Sequence, residues 1–277
     1  MIVQHGHVGR ATLVTLTAAA VLAGGCATEP RTYQRSAPVQ LRAQVIQDIG
    51  HDTAAFTEGL EIHDGVLYEG TGNEGASWLR AVDIATGTVV RQANLPREYF
   101  GEGITVVDQT IWQLTFRQGV AIRRDRDTFA ELGRASYQGE GWGLCHDAPA
   151  HRLVMSNGTD TLTFRDPTTF QATGELRVTS AGNPVSRLNE LECTPGAIYA
   201  NVWQTDTIVR IDPASGQVTA DIAVDGLLPA DVRARVDVLN GIAAVPGTDE
   251  FLVTGKYWPK MFRVRFVPAP EPVRQDG

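Results

Sequence analysis

The chain has 277 residues, 43% of them hydrophobic, and it carries a formal net charge of −8. This length and hydrophobic content suit one all-β domain with a buried core, because propellers and barrels of this size often remain single domains. The acidic balance, with no run of lysines and arginines, argues against nucleic-acid binding. The composition therefore predicts a globular domain whose partners are not polyanions.

Residues 1–25 have the features of an export signal peptide. Arg10 precedes an apolar run from residue 11 to residue 23, which is too short to cross a bilayer as a mature helix. Small residues then lead into Cys26, and this arrangement resembles a bacterial lipobox, in which the cysteine is lipidated. Ordinary signal-peptide cleavage near Ala27, with Cys26 incidental, is the alternative. On either reading the protein is expected to be exported to the periplasm.

A lipid on Cys26 would be the only membrane contact of the protein, and Ala27 after it favours the outer membrane. Residues 26–42 are expected to form a polar tether and residues 43–267 the folded domain. The proline-rich residues 268–277 are expected to be a disordered tail. No apolar surface helix argues for oligomers, so a monomer is expected.

A short pattern, in which a polar or aromatic residue beside glycine precedes an apolar strand, recurs along the chain. The apolar residues that open these strands are Leu60, Ile104, Leu144, Leu191 and Ile242. Their spacings of 44, 40, 47 and 51 residues match the length of a propeller blade. Within the repeats, period-two alternation broken by turns is typical of short antiparallel strands. The sequence therefore predicts an all-β, five-bladed β-propeller.

The last repeat lacks an outer strand, and a candidate for it lies at the other end of the chain. The strand predicted over Gln44–Ile49 would join the last blade, close the ring and remove the free sheet edges. One helix is predicted before that blade, from Pro229 to Leu239, because Val232, Val236 and Leu239 follow helical spacing.

Cys145 and Cys193 each follow the opening apolar residue of a strand, in the third and fourth repeats. An oxidising compartment would permit a disulfide if neighbouring strands bring the two Cα atoms within about 7 Å. The simpler expectation is two buried, unpaired thiols, and the disulfide stays open as the alternative.

The start of each inner strand of a propeller points into the central channel at one end of the ring. The residues two positions before the opening apolar residues are Glu58, Glu102, Trp142, Asn189 and Asn240. Packing alone does not explain why glutamates and asparagines converge there, because carboxylates are rarely buried without a partner. Binding of water or of turn backbone is the alternative role for these side chains.

Residues at the ends of the second strands should lie near the same channel mouth. Together they predict a pocket with polar groups at Glu58, Glu102, Asn189 and Lys256 and aromatic walls at Phe56, Phe100, Phe116, Trp142 and Trp203. An apolar cavity with a few convergent polar groups is the usual form of a small-ligand site. Core packing is the alternative for any single aromatic residue.

Several short motifs occur in a fixed order and carry a family resemblance. They are Phe-Thr-Glu-Gly-Leu (56–60), Phe-Gly-Glu-Gly (100–103), Glu-Gly-Trp-Gly-Leu (140–144), Met-Ser-Asn-Gly-Thr (155–159), Leu-Asn-Glu-Leu-Glu (188–192), Ala-Asn-Val-Trp-Gln-Thr-Asp (200–206), Leu-Asn-Gly-Ile-Ala (239–243) and Thr-Gly-Lys-Tyr-Trp-Pro-Lys (254–260). From about Gln44 to Phe266 the chain resembles the plant and bacterial type of glutaminyl-peptide cyclotransferase, a five-bladed propeller enzyme. The resemblance implies conversion of the N-terminal glutamine of peptides to pyroglutamate, with release of ammonia.

The resemblance also implies roles for single residues. Glu102 is implied as the central acid and base, and the site is completed by Asn189, Trp203, Lys256, Trp142, Phe56 and Phe100. The family often has glutamine at the position of Glu58 and tryptophan at that of Phe116. These two departures bear on substrate affinity and pH optimum rather than on the reaction.

The chemistry fits these residue types without a cofactor. The substrate's α-amine attacks its own γ-carboxamide, so the reacting groups are already tethered. One carboxyl group can take the amine proton and return it to the departing ammonia, while Lys256 or Asn189 donates to the oxyanion. If Glu58 lies beside Glu102, repulsion between like charges should raise the pKa of one of them. No covalent nucleophile is needed, and the histidines lack a zinc-binding spacing.

Two other readings stay open. The protein could be a non-catalytic periplasmic binding protein, because one fold hosts many roles. It could also be a metal-dependent hydrolase or lactonase with a calcium held by Glu58, Glu102, Asn189 and Asn240, which supply hard oxygen ligands. From the sequence we expect no metal in the reaction. A structural calcium in the channel stays open.

Overall fold

The computed structural model describes residues 1–2, 6 and 37–270. Nearly all of the predicted signal peptide, Cys26 and most of the predicted tether lie outside the described residues, as do residues 271–277 of the predicted tail. Among the residues that the structure describes, no helix combines the length and apolar character needed to cross a bilayer.

The described chain forms short antiparallel sheets that follow one another in sequence. The first strand is β1 (Val39–Gly50). Blade one contains β2 (Thr57–His63), β3 (Val66–Thr71), β4 (Trp78–Asp83) and β5 (Val89–Asn94). Blade two contains β6 (Gly101–Val107), β7 (Thr110–Thr115), β8 (Val120–Asp125) and β9 (Glu131–Ser136). Blade three contains β10 (Leu144–Asp147), β11 (Arg152–Met155), β12 (Thr161–Arg165) and β13 (Ala172–Arg177), with a 3-10 turn at Ala148–Ala150.

The remaining elements complete the ring. A small hairpin of β14 (Thr179–Ser180) and β15 (Asn183–Pro184) precedes blade four. Blade four contains β16 (Leu188–Thr194), β17 (Ala197–Val202), β18 (Thr207–Ile211) and β19 (Val218–Ala223). The helix α1 (Ala230–Arg233) leads to blade five, which contains β20 (Leu239–Ala244), β21 (Glu250–Gly255) and β22 (Lys260–Pro268). The predicted all-β, five-bladed propeller is confirmed.

The strand β1 is the outer strand of blade five, as predicted. It pairs antiparallel with β22, and its residues 39–42 also pair in parallel with β19 of blade four. Because of these two pairings the sheet extends beyond the predicted bounds. The strand starts at Val39 rather than after a tether ending at residue 42, and β22 continues through Pro268, which was predicted to begin the tail.

The prediction of a helix from Pro229 to Leu239 is wrong in length. The helix α1 ends at Arg233, and Leu239 already belongs to β20. Val232 and Val236 pack against the core between blades four and five. The apolar spacing therefore reflects packing of a short turn and a loop, and such a short helix depends on tertiary contacts.

The hydrophobic core lies between the blades. Each of five clusters of buried side chains joins two neighbouring sheets, so that every interface around the ring has its own cluster. The cluster between blades three and four contains a disulfide between Cys145 and Cys193, whose Cα atoms are 5.4 Å apart. The expectation of two unpaired thiols is therefore wrong, because neighbouring inner strands bring the two cysteines within bonding distance.

Candidate active site

The polar residues of the site lie in β-bulges of the inner strands. The pairing register shifts between Thr57 and Gly59 in β2, Gly101 and Ile104 in β6, Leu188 and Leu191 in β16, and Leu239 and Ile242 in β20. The residues skipped by these shifts include Glu58, Glu102, Asn189 and Asn240. A bulge leaves a residue outside the strand ladder and changes the direction of its side chain. The bulges thus bring these side chains to the channel mouth.

Glycines beside the two glutamates allow the inner strands to approach closely. A Cβ atom on Gly59 would lie 2.5 Å from the backbone nitrogen of Ile104, and one on Gly103 would lie 2.6 Å from that of Leu144. No larger residue fits at these contacts without movement of the backbone. The glycine-flanked pattern in the sequence therefore sets the close spacing of blades around the mouth.

A cavity of about 320 Å³ occupies the mouth and brings all nine predicted site residues together. Its walls are formed by Phe56, Glu58, Phe100, Glu102, Phe116, Arg117, Glu140, Trp142, Asn189, Trp203, Asp237 and Lys256. Asn240 does not line the cavity but bonds to a residue that does. The cavity is thus aromatic-walled with convergent polar groups, the general form of a small-ligand site.

Glu58 is held by two partners at the base of this cavity. Lys256 donates from Nζ to its Oε1 at 2.7 Å, and Asn240 donates from Nδ2 to its Oε2 at 3.0 Å. Burial raises the pKa of the Glu58 carboxyl to about 7, although the Lys256 ammonium opposes this shift. The ion pair with Lys256 therefore makes Glu58 the group that carries the negative charge.

Glu102 lies beside Glu58 and keeps its proton. The side chain is 4% exposed, and it forms a hydrogen bond with Glu58. Burial, followed by the charge of Glu58, raises the pKa of Glu102 well above its usual range, so neutral Glu102 donates to ionised Glu58. The Oε2 atom of Glu102 is buried and accepts no hydrogen bond from an N–H or hydroxyl group of the described residues. Glu102 thus brings to the cavity wall a carboxyl group with a raised pKa.

Asn189 also has a buried oxygen atom without a hydrogen-bond donor in the part of the chain that the structure describes. Its Oδ1 atom is buried and accepts no hydrogen bond from any described residue. A buried acceptor without a donor costs free energy, on the order of 1–3 kcal/mol. A ligand with an N–H group that reaches this oxygen would recover that cost.

Aromatic rings form the sides of the cavity. The ring centroids of Phe100 lie 6.0 Å from those of Phe56 and 5.9 Å from those of Phe116. Trp142 and Trp203 meet edge to face at 5.5 Å. All five rings are partly exposed rather than fully buried, so they face the cavity instead of packing only in the core.

Arg117, Glu140 and Asp237 were not predicted to belong to the site. Glu140 accepts from Trp142 Nε1 at 3.0 Å and from Arg117 Nε at 2.8 Å. The sequence carried a signal for Glu140 and for Arg117. Glu140 opens the motif that contains Trp142, and Arg117 directly follows Phe116. Asp237 lies in the segment that was predicted to be helical, and the sequence carries no signal for its position.

Two predicted sites lie elsewhere. The disulfide of Cys145 and Cys193 links β10 to β16. Cys145 follows Trp142 in the sequence by a few residues, and Cys193 follows Asn189 in the same way. Cys26 lies outside the described residues. Within the part of the chain that the structure describes, no group of three or more His, Cys, Asp or Glu side chains is arranged to hold a metal ion.

These features define a propeller enzyme site built around a buried carboxyl group with a raised pKa. The sequence model of the family "Glutamine cyclotransferase" matches residues 16–266. The chain is 36% identical over 233 residues to the glutaminyl-peptide cyclotransferase of Arabidopsis thaliana, covering 82% of this chain and 72% of that protein. Its fold matches the crystal structure of Myxococcus xanthus glutaminyl cyclase with a TM-score of 0.78 and 36% identity, over 84% of this chain and 100% of that one. The chain belongs to the glutamine cyclotransferase family.

Proposed function

We propose that this enzyme converts the N-terminal glutamine of peptides to pyroglutamate and releases ammonia, with Glu102 as the group that moves the proton. The observation that carries the proposal is the buried Glu102 carboxyl, whose pKa is raised by burial and by the charge of Glu58, in the wall of an aromatic-lined cavity. Membership of the glutamine cyclotransferase family supports the same reaction.

The proton shuttle works as follows. The α-amine forms a bond to the carbonyl carbon of the side-chain carboxamide, Cδ, and the bond from Cδ to the carboxamide nitrogen breaks. Glu102 gives its proton to the departing nitrogen, which leaves as ammonia, and takes the proton that the α-amine loses. The Glu58 and Glu102 pair thus ends with the one proton it held at the start. Such general acid and base catalysis contributes about 10²–10⁴-fold in rate.

Asn189 and Lys256 have complementary tasks in this proposal. The unpaired Oδ1 of Asn189 accepts a hydrogen bond from the substrate amine or carboxamide N–H. Lys256 uses one N–H for Glu58, and a second N–H can donate to the oxyanion that forms on the carboxamide carbon Cδ. Lys256 is thereby placed between the Glu58 carboxylate, which is negative before the reaction, and the substrate oxygen, which becomes negative during it.

The calcium reading is disfavoured by the contacts of Glu58. Both of its oxygens already accept hydrogen bonds, and the Lys256 ammonium is the cation beside it. A calcium ion at the same carboxylate would lie against the positive charge of Lys256. The binding-protein reading gives no reason for the raised pKa of Glu102 beside Glu58, because binding alone does not require a carboxyl group that can donate a proton.

One assay tests the reaction. A dipeptide that begins with glutamine is incubated with the purified enzyme, with and without a chelator, and ammonia is measured. We expect ammonia release that the chelator does not change. Binding of the peptide with no ammonia would favour the binding-protein reading, and release that stops with chelator would favour the metal-dependent one.

We also propose that the enzyme acts as an exported, lipid-anchored monomer. The support is the apolar run before Cys26 and the small residues that lead into it. Labelling of cells with a tagged fatty acid should mark the wild-type protein but not a Cys26→Ser variant, which should leave the membrane fraction. An unlabelled wild-type protein would contradict the lipid anchor.

A further inference from the structure

A second cavity adjoins the candidate active site. It has a volume of about 350 Å³ and shares Phe100, Phe116 and Arg117 with the first cavity. Its other walls are Glu74, Arg97, Glu98, Tyr99 and Gln118. The two cavities are therefore separated only by an aromatic pair and the Arg117 side chain.

The walls of the second cavity are polar and exposed, unlike those of the first. Arg97, Glu98, Arg117 and Gln118 are all exposed side chains. Arg117 stacks on Phe116 at 4.5 Å and uses Nε for Glu140, which leaves its terminal nitrogens without a partner among the described residues. Arginine nitrogens of this kind can donate to the C=O groups of an extended peptide, and the oxygens of Glu98 and Gln118 can accept from its N–H groups.

A peptide substrate needs a path of this kind. Only the first residue reacts, and each further residue of an extended chain advances by about 3.3–3.6 Å. The second and third residues therefore lie about 3.5 and 7 Å beyond the glutamine. Because the second cavity directly continues the first, it provides a surface for these residues.

We propose that the second cavity binds the main chain of the second and third residues of the peptide, with Arg97 donating to a peptide carbonyl there. This inference rests on the proposed function. The two arginines of the cavity are matched by two glutamates, Glu74 and Glu98, so the subsite carries no net formal charge. It therefore distinguishes peptides by length more than by the charge of their side chains.

The test compares a Gln-Ala dipeptide amide with a Gln-Ala-Ala-Ala tetrapeptide amide on three forms of the full enzyme. These are the wild type, Arg97→Ala, and Arg91→Ala as a matched control. Arg91 is an exposed arginine on β5 that lines neither cavity. Ammonia release gives kcat and KM for each pair.

We expect the wild type and Arg91→Ala to have kcat/KM roughly tenfold higher for the tetrapeptide, mainly through a lower KM. In Arg97→Ala the advantage of the tetrapeptide should fall to about twofold, because the charged donor of one hydrogen bond is lost. A change in KM with constant kcat identifies binding that is equal in the ground and transition states.

Other results have distinct meanings. Equal kcat/KM for the two peptides in the wild type would overturn the subsite and leave the proposed reaction intact. An equal loss in Arg97→Ala and Arg91→Ala would also overturn it, since the effect would not come from this cavity. Absence of ammonia from both peptides would overturn the proposed reaction, and with it the subsite.

Discussion

Two groups of buried glutamates within the ring of inner strands differ in their hydrogen bonds. Deeper in the ring, Glu190 accepts from the backbone N–H groups of Leu60 and Ile242, at 3.2 and 2.7 Å. At the mouth, Glu102 has an oxygen that accepts no hydrogen bond from an N–H or hydroxyl group of the described residues. Burial raises the pKa of both Glu190 and Glu102 well above the usual range.

The comparison separates structural from functional acids. Glu61 also has a pKa raised to about 7 by burial, and its Oε2 accepts from the Val106 N–H at 2.9 Å. A raised pKa therefore occurs in both groups and does not identify the reacting residue. The adjoining cavity does, because Glu102 and its neighbour Glu58 line it, whereas Glu61 and Glu190 do not. The predictions below test this distinction.

The largest expected effect separates Glu102 from Glu190. Glu102→Gln removes the transferable proton, so kcat should fall by about 10²–10⁴-fold with little change in unfolding free energy. Glu190→Gln places an amide NH₂ against backbone N–H donors and should cost about 1–3 kcal/mol of stability with a small effect on kcat. Ammonia assays and urea unfolding of both variants check this. Similar losses of activity in the two variants would contradict the distinction.

Removal of the disulfide should weaken the fold more than the chemistry. The bond between Cys145 and Cys193 closes a chain separation of 48 residues. Loss of this constraint on the unfolded chain should cost about 3–4 kcal/mol in a Cys145→Ala, Cys193→Ala double variant. Urea unfolding measures the change, and wild-type protein with reductant should show the same loss. An unchanged unfolding midpoint would show that the bond adds nothing to stability.

Glu58→Gln should move the acid limb of the pH profile of kcat/KM to lower pH. Burial raises the pKa of Glu58 to about 7, so the wild type loses the Glu58 charge as pH falls through that value. In the variant this titration is absent, and the pKa of Glu102 falls because a neighbouring negative charge is gone.

Glu61→Gln is the matched control for this shift. Its carboxyl has a pKa of about 7 as well but does not line the cavity. The control should keep the wild-type acid limb. A limb that stays in place in Glu58→Gln, or moves equally in Glu61→Gln, would contradict direct coupling between Glu58 and Glu102.

The smallest effect is expected at Phe116, where the family often has tryptophan. The ring of Phe116 lies 5.9 Å from Phe100 and faces the cavity. A Phe116→Trp variant adds aromatic surface beside the substrate and should lower KM by roughly 2–10-fold with kcat nearly constant. Phe129→Trp, in the core between blades one and two, should lower stability without this change in KM. A KM that does not fall would show that Phe116 makes little contact with substrate.

Most of the fold could be predicted because local pattern and global architecture agree. The five apolar residues that were aligned in the repeat each lie in the first strand of a blade: Leu60 in β2, Ile104 in β6, Leu144 in β10, Leu191 in β16 and Ile242 in β20. The ring closure followed from the missing outer strand of the last repeat. The helix after Pro229 failed because apolar spacing alone does not distinguish a helix from a loop packed on a core.

The site was predictable in its members but not in its geometry. The repeat alignment identified Glu58 and Glu102, yet it gave no sign that bulges start four of the five inner strands earlier than their apolar runs. The ion pair of Glu58 with Lys256 joins residues 198 positions apart, and only the closed ring brings them together. Contacts of this range depend on the whole topology, so no local pattern reports them.

The most direct measurement of the central claim is the infrared absorption of protonated carboxyl groups in the wild type and in Glu102→Gln at neutral pH. The spectrum of the wild type minus that of the variant should contain a protonated carboxyl band, and a pyroglutamyl peptide bound in the cavity should shift it. A difference spectrum with only an ionised carboxylate band would show that Glu102 holds no proton to transfer.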